Sequence, residues 1–95
     1  MVLEIAEFRV PPGAEDEFVL AYRGVRPVLT STQGCRSARM TRGLETPNRF
    51  VLLVEWDSLD AHEVNFRGSD GFVTWRRALS PFFAADPQVE HVEDV

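Results

Sequence analysis

Residues 50–54 read Phe50-Val51-Leu52-Leu53-Val54, five apolar side chains in succession within a chain of 95 residues. Side chains of a strand alternate between the two faces of its sheet, so an unbroken apolar run asks for cover on both. A chain this short has room for about two helices, and two helices cover only one face of a small sheet. Cover for the other face is expected from a second copy of the same chain. The expectation is a homodimer. Trp56 closes the strand on the side of Phe50, Leu52 and Val54, and Ser58 follows as a helix cap. A large aromatic is thus predicted at a strand-to-helix corner, where a pocket between sheet and helix opens.

The remaining elements follow from periodicity and punctuation. Val2 to Val10 reads as a strand stopped by Pro11-Pro12-Gly13. A helix follows from about Ala14, with Glu15, Asp16 and Glu17 complementing its positive end. Phe18, Tyr22, Val25 and Leu29 form its apolar stripe, while Gly24 and Pro27 are expected to bend or loosen its last third. Gln33-Gly34 ends it. Cys35 to Gly43 is taken as a polar edge strand, joined through Thr46-Pro47-Asn48 to the strand from Arg49. Ser58 to Arg67 and Gly71 to about Ser80 make a second helix in two parts, recapped at Ser69 or Asp70. Gln88 to Val95 supplies a last strand. The order β-α-β-β-α-β predicts an α+β, ferredoxin-like domain over residues 1–95, with a four-stranded antiparallel sheet whose first and third strands are central.

Composition narrows function mainly by exclusion. A net charge of −5 disfavours nucleic acid, which selects for a basic footprint. Arg36, Arg39 and Arg42 alternate across a strand and suit the guarding of an edge. No run approaches the length of a membrane span. Cys35 is the only cysteine and fits a reducing cytoplasm. The chain has no HExxH, His62 and His91 lack a ligand set in the sequence, and phosphate and dinucleotide fingerprints are missing. Neither metal nor organic cofactor is expected.

Three residues stand out as candidates for chemistry. Trp56 is either a core aromatic or a pocket wall that stacks on a flat substrate. His62 shares a helical stripe with Leu59 and Phe66, and its pKa suits proton transfer if it is more than a packing residue. Arg76 falls in line with Phe72, Leu79 and Phe83. A guanidinium there needs a carboxylate such as Glu55 or Glu7, or a ligand oxygen.

The stretch VLLVEWDSLDAHEVNF followed by SDGFVTW resembles the antibiotic biosynthesis monooxygenase (ABM) family, and the resemblance covers nearly the whole chain. It implies a dimeric α/β barrel, two ferredoxin-like sheets packed face to face. Some members oxidise polycyclic aromatics with dioxygen and no metal, flavin or haem. The matching positions are Trp56 and Arg76; a helical tyrosine of those members falls at His62 and a strand asparagine at Leu52. Haem-degrading relatives match only at Trp56, with Phe8 and Arg76 departing, so haem is not expected. The resemblance implies a cofactor-independent monooxygenase acting on a planar polycyclic or phenolic aromatic. Trp56, His62 and Arg76 are its expected catalytic residues, and Leu52, Phe66, Phe72, Tyr22 and Trp56 its expected substrate pocket. The alternative is a non-catalytic dimeric barrel that binds a small hydrophobic ligand.

Overall fold

A computed structural model describes all 95 residues, Met1–Val95. Strand β1 (Val2–Arg9) leads through Gly13 into helix α1 (Glu15–Thr30). Strands β2 (Cys35–Arg42) and β3 (Arg49–Trp56) form a hairpin. A π-helix (Ala61–Phe66), helix α2 (Asp70–Leu79), a 3-10 turn (Ser80–Phe82) and strand β4 (Gln88–Val92) complete the chain. The sheet is antiparallel with order β2-β3-β1-β4, so β1 and β3 are central. This is the ferredoxin-like α+β arrangement. The sheet is open, with β2 and β4 as its edges.

Helix α1 runs as one helix through Gly24 and Pro27 to Thr30. Two expectations are corrected. Strand β4 stops at Val92, where pairing with Leu3 ends. The first part of the second helical region is a π-helix, closed by an Arg67 amide donating to the His62 carbonyl at 3.0 Å. Its wider turn puts His62 and Phe66 on one buried side and leaves Leu59 47% exposed, so the predicted Leu59–His62–Phe66 stripe is broken. The caps are those expected. Ser58 Oγ accepts from the Ala61 amide and Ser69 Oγ from the Phe72 amide, both at 3.2 Å.

Strand pleating then sorts the sheet into two unlike faces. Glu4, Ala6 and Phe8 of β1 and Phe50, Leu52, Val54 and Trp56 of β3 are buried beneath the helices. They pack against Phe18, Tyr22 and Leu29 of α1 and Trp75 and Leu79 of α2. Leu3, Ile5, Val51 and Leu53 point the other way and are only half-buried. No helix covers that second face.

Candidate functional site

The covered face carries two polar side chains among its apolar ones, Glu4 and His62. Glu4 sits in the middle of β1 with His91 of β4 directly across the ladder. Its register is fixed by the alternation that buries Ala6 and Phe8, so its carboxyl has to enter the core. Trp56, at the end of β3, donates its indole N–H to Glu4 Oε1 at 2.9 Å. His62 comes down from the π-helix and stacks on the Trp56 ring, with centroids 5.1 Å apart and planes 17° from parallel. Its Nε2 lies 3.4 Å from Glu4 Oε1, and its Nδ1 meets His91 Nε2 at 2.7 Å.

Burial dominates the protonation of both groups. It pushes the Glu4 carboxyl up to about 7, against the opposing pull of the Trp56 hydrogen bond. It pushes His62 down to about 4, helped by the neighbouring His91. The Glu4–His62 contact has the span of an ion pair, but near neutral pH burial favours the neutral form of each. Glu4 is therefore poised to take or give a proton near pH 7.

Glu4 and His62 border a cavity of about 180 Å³ between sheet and helices. Leu52 and Ala6 form its floor, Phe66, Phe72 and Trp75 its apolar wall, and Arg67 and Arg76 its charged edge. Arg67 also pairs with Glu63 at 3.4 Å and lies over the Phe72 ring. Arg76 is exposed and makes no ion pair; Glu7 and Glu55, its expected partners, lie on the opposite face of the sheet, where they meet Arg9, Arg49 and Ser37. A free guanidinium at the rim can meet a ligand oxygen. A larger concavity of about 670 Å³ opens on the bare sheet face around Leu3, Leu53 and Val92, and none of its charged side chains is buried.

Of the residues singled out by sequence, His62, Arg76, Leu52, Phe66 and Phe72 converge on the small cavity. Trp56 does not line it. Fully buried, it stands one layer behind, supporting His62 from below and Glu4 from the side. Tyr22 is also absent from the lining: it packs edge-on against Trp75, its hydroxyl near Arg26 and Met40 but in hydrogen-bond geometry with neither. The sequence marks neither Glu4 nor Arg67 as a site residue, and His91 enters there only as a possible metal ligand with His62. The one sequence hint for Glu4 is its alternation with Ala6 and Phe8, which does not by itself say which face is covered.

His62, Glu63 and His91 also bring three ligand-type atoms within 4.8 Å of one another. Two nitrogens at about 2.0–2.1 Å from a tetrahedral ion lie about 3.3 Å apart. The 2.7 Å between His62 Nδ1 and His91 Nε2 is the span of a shared proton.

Comparison with known proteins agrees with this architecture. The sequence profile described as antibiotic biosynthesis monooxygenase (ABM) matches residues 1–78. The chain is 35% identical over 95 residues to the uncharacterized protein YczJ of Bacillus subtilis (strain 168), covering 100% of each. A Bordetella bronchiseptica protein, provisionally named an antibiotic biosynthesis monooxygenase, superposes with TM-score 0.94 at 37% identity, over 99% of this chain and 96% of that one. SnoaB, a cofactor-independent oxygenase from Streptomyces nogalater, shares the fold with TM-score 0.83 at 19% identity, over 98% of this chain and 91% of that one.

Proposed function

The chain belongs to the antibiotic biosynthesis monooxygenase family, and on that premise we propose that it is a monooxygenase converting a small phenol or naphthol to a quinone with dioxygen and no cofactor. The observation that carries this is Glu4, a buried carboxyl on the cavity wall whose proton affinity lies near neutrality. The ionised carboxylate takes the phenolic proton, His62 braces it, and Arg76 and Arg67 at the edge favour the phenolate. The electron-rich phenolate then reduces oxygen. One oxygen atom enters the ring as a carbonyl and the other leaves as water, so the four electrons come from the substrate and no external reductant is required.

Cavity size selects the substrate class. About 180 Å³ falls below the roughly 300–1,000 Å³ that enclose drug-sized ligands. One or two fused rings suit it better than a tetracycle. Two further parts of the reading are proposals of the same kind. The bare sheet face supports a homodimer, and the single free cysteine supports a cytoplasmic setting. No helix is long and apolar enough to cross a membrane.

The test is oxygen uptake with a panel of phenols, naphthols and anthrones, with anaerobic controls. One oxygen consumed per quinone formed, and one labelled atom incorporated from ¹⁸O₂, is the expected result. Glu4→Gln should lower the rate by roughly 10²–10⁴-fold, the span of a general base. Tight binding of these compounds without oxygen uptake would favour the second reading, a ligand-binding barrel, to which the modest cavity also lends itself.

A further inference from the structure

Glu4 can turn over as a base only if the proton it takes has a way out, and the cavity side of Glu4 is the side the substrate fills. His91 lies on the other side. Side-chain exposure is 7% at Glu4 and 5% at His62 and reaches 20% at His91. The links are 3.4 Å from Glu4 Oε1 to His62 Nε2 and 2.7 Å from His62 Nδ1 to His91 Nε2. His62 thus faces Glu4 with one ring nitrogen and is hydrogen-bonded outward to His91 through the other, and an imidazole placed in this way can pass a proton by exchanging tautomers.

We propose that Glu4, His62 and His91 form a proton relay that discharges the site to solvent through edge strand β4. The proposal takes the source of the proton from the oxygenase reading, and the path itself stands on geometry. In the loaded state Glu4 carries the substrate proton, His62 holds its own on Nδ1, and His91 presents a bare Nε2. Glu4 passes its proton to His62 Nε2 as His62 Nδ1 passes its proton to His91 Nε2. Glu4 is left as carboxylate, His62 remains neutral in the other tautomer, and His91 is briefly an imidazolium. The Glu63 carboxylate lies 3.9 Å from His91 Nε2. His91 then loses its Nδ1 proton to water. A further exchange of tautomers in His62 and His91 resets the line.

Groups from each neighbouring element face this path. The Trp56 indole of β3 holds Glu4 Oε1, while Glu63 and Arg67 bracket His62 with opposite charges. The inner link is the looser one. Catalytic hydrogen bonds are often long or poorly aligned before substrate binds, and this contact has the distance but not yet the alignment of one. The relay would then connect when the cavity fills.

Two measurements test it. Nitrogen-15 NMR of the imidazoles in the wild-type protein should show a proton shared by His62 Nδ1 and His91 Nε2, through a coupling between the two nitrogens that His91→Ala abolishes. No such coupling in the wild type would overturn the relay, whatever the substrate. With a phenol that turns over, His91→Ala should slow the reaction roughly tenfold, below the usual span for a group that touches substrate. Added imidazole should restore the rate, which it cannot do for a fold defect. An unchanged rate, or a loss that imidazole leaves in place, would overturn the proposal. A shared proton in a protein that oxidises nothing on the panel would leave the relay standing and sink the oxygenase reading alone.

Discussion

Glu4, the base of the proposed reaction, sets a stability problem that its surroundings answer. Burial raises its carboxyl from 4.5 to about 7, so the folded state binds this proton more tightly than the unfolded chain does. Its contribution is fully present below pH 4.5 and is lost as pH rises toward 7. His62 works in the opposite sense: lowered from 6.5 to about 4, it withdraws stability as pH falls through that window. The two slopes oppose each other over most of the mildly acidic range, where wild-type stability should be nearly flat. Glu4→Gln removes one slope. Between about pH 4 and pH 8, urea unfolding should show the variant gaining up to about 3 kcal/mol on the wild type. A difference between the two that does not change with pH would mean that Glu4 is ordinary. Trp56 offers a second handle, since its hydrogen bond is the main influence holding the carboxyl down. Trp56→Phe keeps a ring beneath His62 and removes the donor, so the pH midpoint of kcat/KM should move above 7. A midpoint that stays put would detach Trp56 from the chemistry.

At the level of elements, the corner where α1 meets the π-helix decides whether His62 reaches Glu4. Gly34 turns the chain there with φ +94, a conformation that side chains rarely adopt, and a Cβ at this position would meet the Ala61 Cβ at 2.5 Å. Its carbonyl accepts from the Asp57 amide at 2.8 Å, tying the corner to the end of β3. Gly34→Ala should therefore cost about 1–3 kcal/mol, as left-handed strain does, and should weaken the His62–His91 contact, since both effects push the π-helix outward. Thermal melts and the imidazole nitrogen signals report the two separately. Local signals of this kind were readable from sequence: Gly34 as a helix stop, Ser58 and Ser69 as caps, Phe50 to Val54 as a central strand. The π-helix was not. Its wider turn arises because His62 and Phe66 both find cover on the sheet, a tertiary demand that 3.6-residue periodicity does not encode. Glu4 was missed for a related reason. A lone glutamate in a strand looks like a solvated break until the partner strands show which face it occupies, and the pairing of Glu4 with His91 joins segments nearly a chain length apart.

The whole molecule is a slab of 35 × 32 × 19 Å, one sheet and one layer of helices thick. Its bare face presents Leu3, Ile5, Val51 and Leu53 half-covered and Val92 43% exposed. Around them stand Glu7, Arg39, Arg49, Glu55 and Glu90, a polar surround that would suit the proposed dimer interface. Two copies meeting through it by a twofold axis would bury the apolar centre of each against the other. Leu53 lies at the middle of this face, flanked by Ile5 and Arg39 in register. Leu53→Arg sets a charge against its own symmetry mate there and adds to Arg39, so light scattering should show the variant as a monomer where the wild type is a dimer. The cavity with Glu4 and His62 lies on the opposite side of the same strands, since Leu52 and Leu53 face apart. Binding of a small phenol to the variant should then persist within about threefold, while the melting temperature falls because the exposed centre loses its cover. A variant that stays dimeric would move the interface elsewhere. One that becomes monomeric and loses phenol binding altogether would show that the sheet holds the cavity open only when both its faces are packed.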